Sequence, residues 1–82
     1  MAKHSIEIKT MAFPASTPVA KGDTVEWIDK MSMAHTVTAD DGSFDSGELD
    51  PGKSFSHTFD ATGTVPYHCD IHPRMKGSVV VA

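Results

Sequence analysis

The sequence has one cysteine, no long apolar run, little helical periodicity and fewer basic than acidic residues, and each shortage removes a class of explanation. A lone Cys69 cannot form a disulfide within the chain, and it cannot supply the paired cysteines of most structural zinc sites. Seven Lys and Arg against eleven Asp and Glu leave a formal charge of −4, which argues against nucleic acid or an anionic membrane surface as the main partner. No stretch approaches the ~20 apolar residues of a membrane-spanning helix, so no membrane insertion is expected. A positively charged segment followed by an apolar one, the mark of an export signal, is not visible. Repeats, low-complexity tracts and linkers are lacking too, and residues 1–82 read as a single domain. A chain this short hides only about 60–65% of its unfolded surface, so its stability is expected to be modest. Nothing in it resembles a nucleophile–base pair or an oxyanion arrangement, which points away from an enzyme.

What is present is alternation. Ile6 and Ile8 alternate with charged neighbours, Val25 and Trp27 with Thr24, Glu26 and Ile28, and Phe55, His57 and Phe59 with Ser54, Ser56 and Thr58. Each reads as a strand with one face inward. Breaks at Gly, Pro, Asp and Ser recur every ten or so residues, the pattern of an all-β antiparallel sandwich or barrel. Ser78–Val81 is nearly continuous in valine, which predicts a strand that is central or covered on both faces. The acidic, glycine-bearing stretch 40–51 is expected to be a loop crossing outside the core. Tyr67, two residues before Cys69, is expected to bond back to the turn near Asp60 and Gly63, as in the tyrosine corner of Greek-key sandwiches.

Cys69, His72 and Met75 stand at C-x2-H-x2-M spacing, with Ala34-His35-Thr36 far upstream. A thiolate, a thioether and two imidazoles match the His2Cys set with a weak axial Met that defines blue-copper electron-transfer centres. Zinc rarely takes Met, and a two-cysteine CuA centre is excluded. Alternation puts Val65, Tyr67 and Cys69 on one inward face, whereas His68 faces the other way as a surface residue. His57 reads as a packed histidine with a local hydrogen bond, not a ligand.

Tyr67-His68-Cys69 with His72-Pro73 and Met75 is similar to the ligand loop of amicyanin-type cupredoxins, relatives of the plastocyanins. Phe13-Pro14, Lys21-Gly22-Asp23-Thr24-Val25, Trp27, His35-Thr36-Val37, Gly42-Ser43-Phe44-Asp45-Ser46-Gly47 and Pro51-Gly52-Lys53-Ser54-Phe55 extend the resemblance over nearly the whole chain. It implies a Greek-key cupredoxin fold and one copper ion, cycling between Cu(I) and Cu(II), on His35, Cys69, His72 and Met75. It also implies a periplasmic or extracellular setting. The chain departs from the family pattern at Thr36, where amicyanins and plastocyanins typically carry an Asn that ties the ligand loops together; the Thr hydroxyl can do part of that work. The resemblance further implies that electrons leave through the edge of His72. The apolar patch around it would comprise Met33, Ile71 and Pro73, extended by Met31 and Phe13, with Arg74 at the rim.

The expected function is therefore a type 1 copper electron carrier, a monomer that docks transiently with redox partner proteins. Two other readings use the same residues: the electron-receiving domain of a larger copper oxidase or reductase, and a copper-trafficking protein. Trafficking needs an exposed, exchangeable site, and a Cys on a buried strand end disfavours it.

Overall fold

The computed structural model describes residues 2–82. They form seven strands, β1 Lys3–Ile8, β2 Thr17–Val19, β3 Thr24–Asp29, β4 Thr38–Ala39, β5 Ser54–Thr58, β6 Gly63–His68 and β7 Lys76–Val81. Two sheets result, one in the order β1-β3-β5 and the other β2-β7-β6-β4. The all-β expectation holds. The strictly antiparallel one does not, because β1 runs parallel to β3 and β2 parallel to β7. Both parallel partners are reached by crossing to the other sheet, which hairpin-scale alternation cannot reveal.

The strands form where alternation predicted an inward face. Val25, Trp27 and Asp29 of β3 are buried while their neighbours are half-exposed. β7 is central in its sheet, between β2 and β6, although Val80 stays half-exposed and the strand is sealed on one face only. β2 holds Pro18 and lies at a sheet edge, where a missing N–H breaks no ladder.

Trp27 is the centre of the core, fully enclosed among Phe44, Phe55, Phe59 and Tyr67 at ring separations of 5.3–6.5 Å. Its indole N–H donates to the Tyr67 hydroxyl at 3.3 Å. The expected tyrosine corner is thus replaced by a bond across the sandwich. Burial pushes the phenol up to about 12, and the bond from Trp27 offsets part of that. The 40–51 crossing also differs from expectation, since Phe44 and Leu49 are buried in the core and Leu49 exchanges both backbone bonds with His35, at 3.0 and 2.7 Å. Its acidic residues are the solvated part; its apolar ones pin the segment that carries His35.

Candidate metal centre

Cys69, His72 and His35 come together beside the turn between β6 and β7, and Met75 lies buried just before β7. Cys69 directly follows β6 and Met75 directly precedes β7, so their loop closes a β6–β7 hairpin. The Cys69 N–H donates to the Met75 carbonyl at 3.0 Å and the Met75 N–H to the His72 carbonyl at 2.9 Å. These bonds leave the short spacing no slack. His35 comes from a separate segment, held by its bridge to Leu49.

Cys69 and His35 are fully buried, Met75 is 1% exposed, and His72 is half-exposed. The Cys69 sulfur accepts the backbone N–H of Thr36 at 3.3 Å and of His72 at 3.4 Å. His72 Nδ1 stands 3.9 Å from the same sulfur, and the rings of His35 and His72 are 5.0 Å apart, tilted by 42°. His35 Nδ1 faces the Asp29 carboxylate at 3.2 Å, which leaves Nε2 buried with no hydrogen-bond partner among the described residues. Orphaned buried polar atoms are rare and ask for an explanation; imidazoles grouped with a buried cysteine sulfur are a donor set that suits a soft metal ion. Among the described residues, no three His, Cys, Asp or Glu side chains stand close enough together to hold a cation by themselves.

Thr36 does the tying expected of it. Its hydroxyl accepts the Asp70 N–H at 2.8 Å and contacts the Thr38 hydroxyl at 3.1 Å, joining the His35 segment to the Cys69 loop. His68 lies on the outward face, as expected, but is clamped between Asp40 at 2.6 Å and Asp70 at 2.8 Å. Those carboxylates, Asp40 first, hold its pKa above the ordinary imidazole value. His57 packs on Phe44 at 4.5 Å and Phe59 at 4.8 Å, with aromatic contact in place of the expected hydrogen bond. Burial lowers its pKa, and Asp60 opposes that shift. A cleft of about 290 Å³ runs past it, lined also by Asp41 and Val65 and separate from Cys69.

Met33 and Ile71 are exposed at 42% and 44%, with Pro73 and Arg74 exposed beside His72 in the chain. Phe13 does not belong to that surface: it is buried against Tyr67 at 4.8 Å. Met31 is half-buried against the core. Asp29 is the residue that sequence reasoning passed over. Extending the Val25, Trp27 alternation by one step would have marked it as inward-facing.

The whole of residues 1–82 matches the model of copper binding proteins of the plastocyanin/azurin family. Amicyanin of Paracoccus denitrificans is 37% identical over 68 residues, covering 77% of this chain and 52% of that protein. The chain thus spans about half the length of that relative. Plastocyanin of Scenedesmus fuscus is 31% identical over 81 residues, covering 83% of each. Among solved structures, an oxidised amicyanin variant superposes with a TM-score of 0.89 at 32% identity, over 96% of this chain and 81% of that one. A Cu(I) amicyanin variant gives 0.89 at 31% identity, over 98% and 82%. With its two-sheet fold and its buried thiol, imidazole and thioether at one end, this chain belongs to the plastocyanin/azurin family of copper-binding proteins.

Proposed function

We propose that this protein is a type 1 copper electron carrier, not an enzyme, in which His35, Cys69, His72 and Met75 hold one copper ion. When bound, copper supplies a one-electron Cu(I)/Cu(II) couple. The protein's own groups do the rest. The Thr36 and His72 N–H groups point at the Cys69 sulfur and fix its position, and burial of Cys69, His35 and Met75 keeps water from three of the four donors. Backbone bonds at 2.9 and 3.0 Å hold the loop donors in place, so little rearrangement accompanies a change of oxidation state. His72 is the donor with an exposed edge, and it is the port for electrons. Met33, Ile71 and Pro73 form the docking patch: small, apolar and suited to a brief encounter with a redox partner. The carrier works as a monomeric single domain, in the periplasm or outside the cell.

The observation that carries this reading is the Cys69 sulfur, buried under two N–H donors, with His72 Nδ1 at 3.9 Å and the buried His35 ring 5.0 Å from that of His72. Titration of the purified protein with Cu(II), followed by visible and EPR spectroscopy, tests it. An intense blue thiolate-to-copper band with small copper hyperfine splitting is expected, and Cys69→Ser is expected to abolish both. A colourless protein that binds zinc or Cu(I) tightly would replace electron transfer with metal trafficking.

A further inference from the structure

The loop from Cys69 to Met75 ends in a tight turn. The Met75 N–H donates to the His72 carbonyl at 2.9 Å, so His72-Pro73-Arg74-Met75 is a β-turn with Pro73 and Arg74 at its corners. Arg74 is exposed there, and among the described residues no carboxylate pairs with it. The acids around it are turned elsewhere or matched. Asp70, the other charge of the loop, meets His68 with one carboxylate oxygen at 2.8 Å and the Thr38 hydroxyl with the other at 3.3 Å. Asp40 and Asp45 meet the same two residues at 2.6 and 3.3 Å, so these three acids gather along β4 and the outward face of β6. Glu7 pairs with Lys9 at 3.1 Å. Exposed Glu48 and Asp50, on either side of Leu49, are matched in number by exposed Lys30 and Lys53, whose backbones bond to Ile8 and Asp29 at the same end. Arg74 is left as the uncompensated charge closest to His72 along the chain.

We propose that Arg74 makes the His72 port select a redox partner that presents carboxylates around its own electron-transfer site, although the chain as a whole carries a charge of −4. The inference rests on the ligand and port reading above and deepens it by naming the partner's chemistry. A guanidinium is always charged, weakly hydrated and shaped to take a carboxylate through two parallel N–H bonds. At the rim of an apolar patch such a charge raises the rate of productive encounter more than the affinity, as a transient carrier requires. The acids along β4 repel the same partner from the flank, so attraction and repulsion together turn the corner that carries His72 toward it.

Two small oxidants of opposite charge read the local sign: the trianion hexacyanoferrate(III) and the trication tris(phenanthroline)cobalt(III). Each takes one electron from the reduced protein, so one Cu(I) is oxidised for each Fe(III) or Co(III) reduced. Arg74→Gln is expected to slow oxidation by hexacyanoferrate about fivefold at ~10 mM ionic strength and to speed oxidation by the cobalt complex by a similar factor. At ~0.5 M both effects are expected to fall below about twofold. Lys21, whose N–H donates to the Ala82 carbonyl just past β7, lies at the opposite end of a molecule 33 Å long. Lys21→Gln makes the same change in net charge and is expected to alter each rate by less than about twofold. In the copper-free protein, the redox-inert paramagnetic trianion hexacyanochromate(III) is expected to broaden the amide signals of residues 71–75 first, and Arg74→Gln to abolish that preference. A hexacyanoferrate rate that is unchanged in Arg74→Gln, or slowed equally in Lys21→Gln, would overturn the inference, because net charge alone would then govern the encounter; so would broadening that passes over residues 71–75. A wild type that never turns blue sinks the ligand reading instead, and the hexacyanochromate broadening still decides whether Arg74 makes this end a docking surface for anions.

Discussion

Thr36 carries more of this site than its size suggests. Its N–H reaches the Cys69 sulfur, and its hydroxyl accepts the Asp70 N–H at 2.8 Å. The Thr38 hydroxyl lies 3.3 Å from both Asp45 and Asp70 carboxylate oxygens, so it shares its one proton between them and receives the Thr36 O–H. Thr36→Val keeps the shape and the backbone donor but strands the Asp70 N–H. It is expected to lower the stability of the copper-free protein by about 1–3 kcal/mol in urea denaturation. A variant as stable as the parent would mean that water replaces the hydroxyl without loss. The four proposed ligands could be read from the sequence because three of them sit in one seven-residue stretch whose spacing is chemically specific. Asp29 was passed over, because an acidic residue followed by Lys30 looks like the solvated end of a strand, although the Val25, Trp27 alternation extended by one step points it inward.

At the scale of elements, β7 reaches the core only because residue 77 is glycine. A β-carbon there would stand 2.6 Å from the Pro14 carbonyl oxygen and 2.9 Å from both the Phe13 β-carbon and the Tyr67 hydroxyl. Gly77→Ala must push the segment 13–14 off β7 or displace Tyr67, its ladder partner. We expect a loss of about 1–3 kcal/mol, read as a lower urea midpoint; an unchanged midpoint would show that the segment yields freely. Asp23 clamps a different junction. It accepts the N–H groups of Ala2 and Ala20 at 2.8 and 2.9 Å and meets His4 at 2.9 Å, joining β1 to the β2–β3 turn. The His4 bond, followed by those backbone donors, holds its carboxyl well below the ordinary 3.8. A carboxyl depressed by folding contributes stability that is complete above its unfolded pKa and is lost as the pH falls below it. The stability gap between wild type and Asp23→Asn is therefore expected to be widest above pH ~4 and to narrow in more acid solution. A gap constant from pH 7 to 2.5 would contradict the clamp. Strands β1, β3, β5 and β6 could be read from alternation, since one buried face imposes period two, and β7 from its run of valines. The short β2 and β4 could not, nor could the parallel pairings, because a strand's own residues carry its inward face but not the identity of its neighbour.

On the scale of the whole molecule, the fold class was legible because several one-faced strands need a second layer to cover them. How the layers meet at the Cys69 end was not, since that depends on the 40–51 crossing burying Phe44 and Leu49 behind His35. The result is a small domain with no disulfide and an unpartnered buried imidazole nitrogen at one end. With no disulfide to brace it, such a domain would gain stability from a bound copper ion. A ligand that binds only the folded state stabilises it by about 2.7 kcal/mol at a hundred times its Kd and about 4.1 at a thousand. In a domain of this size each kcal/mol moves Tm by about 4–8 °C. The copper-loaded protein is therefore expected to melt at least about 10 °C above the copper-free one in differential scanning calorimetry. His35→Ala takes away both the orphaned nitrogen and one proposed ligand, so it should shrink that difference. Equal melting temperatures for the two wild-type forms, at stoichiometric copper and above, would mean that the donor end is as stable empty as filled.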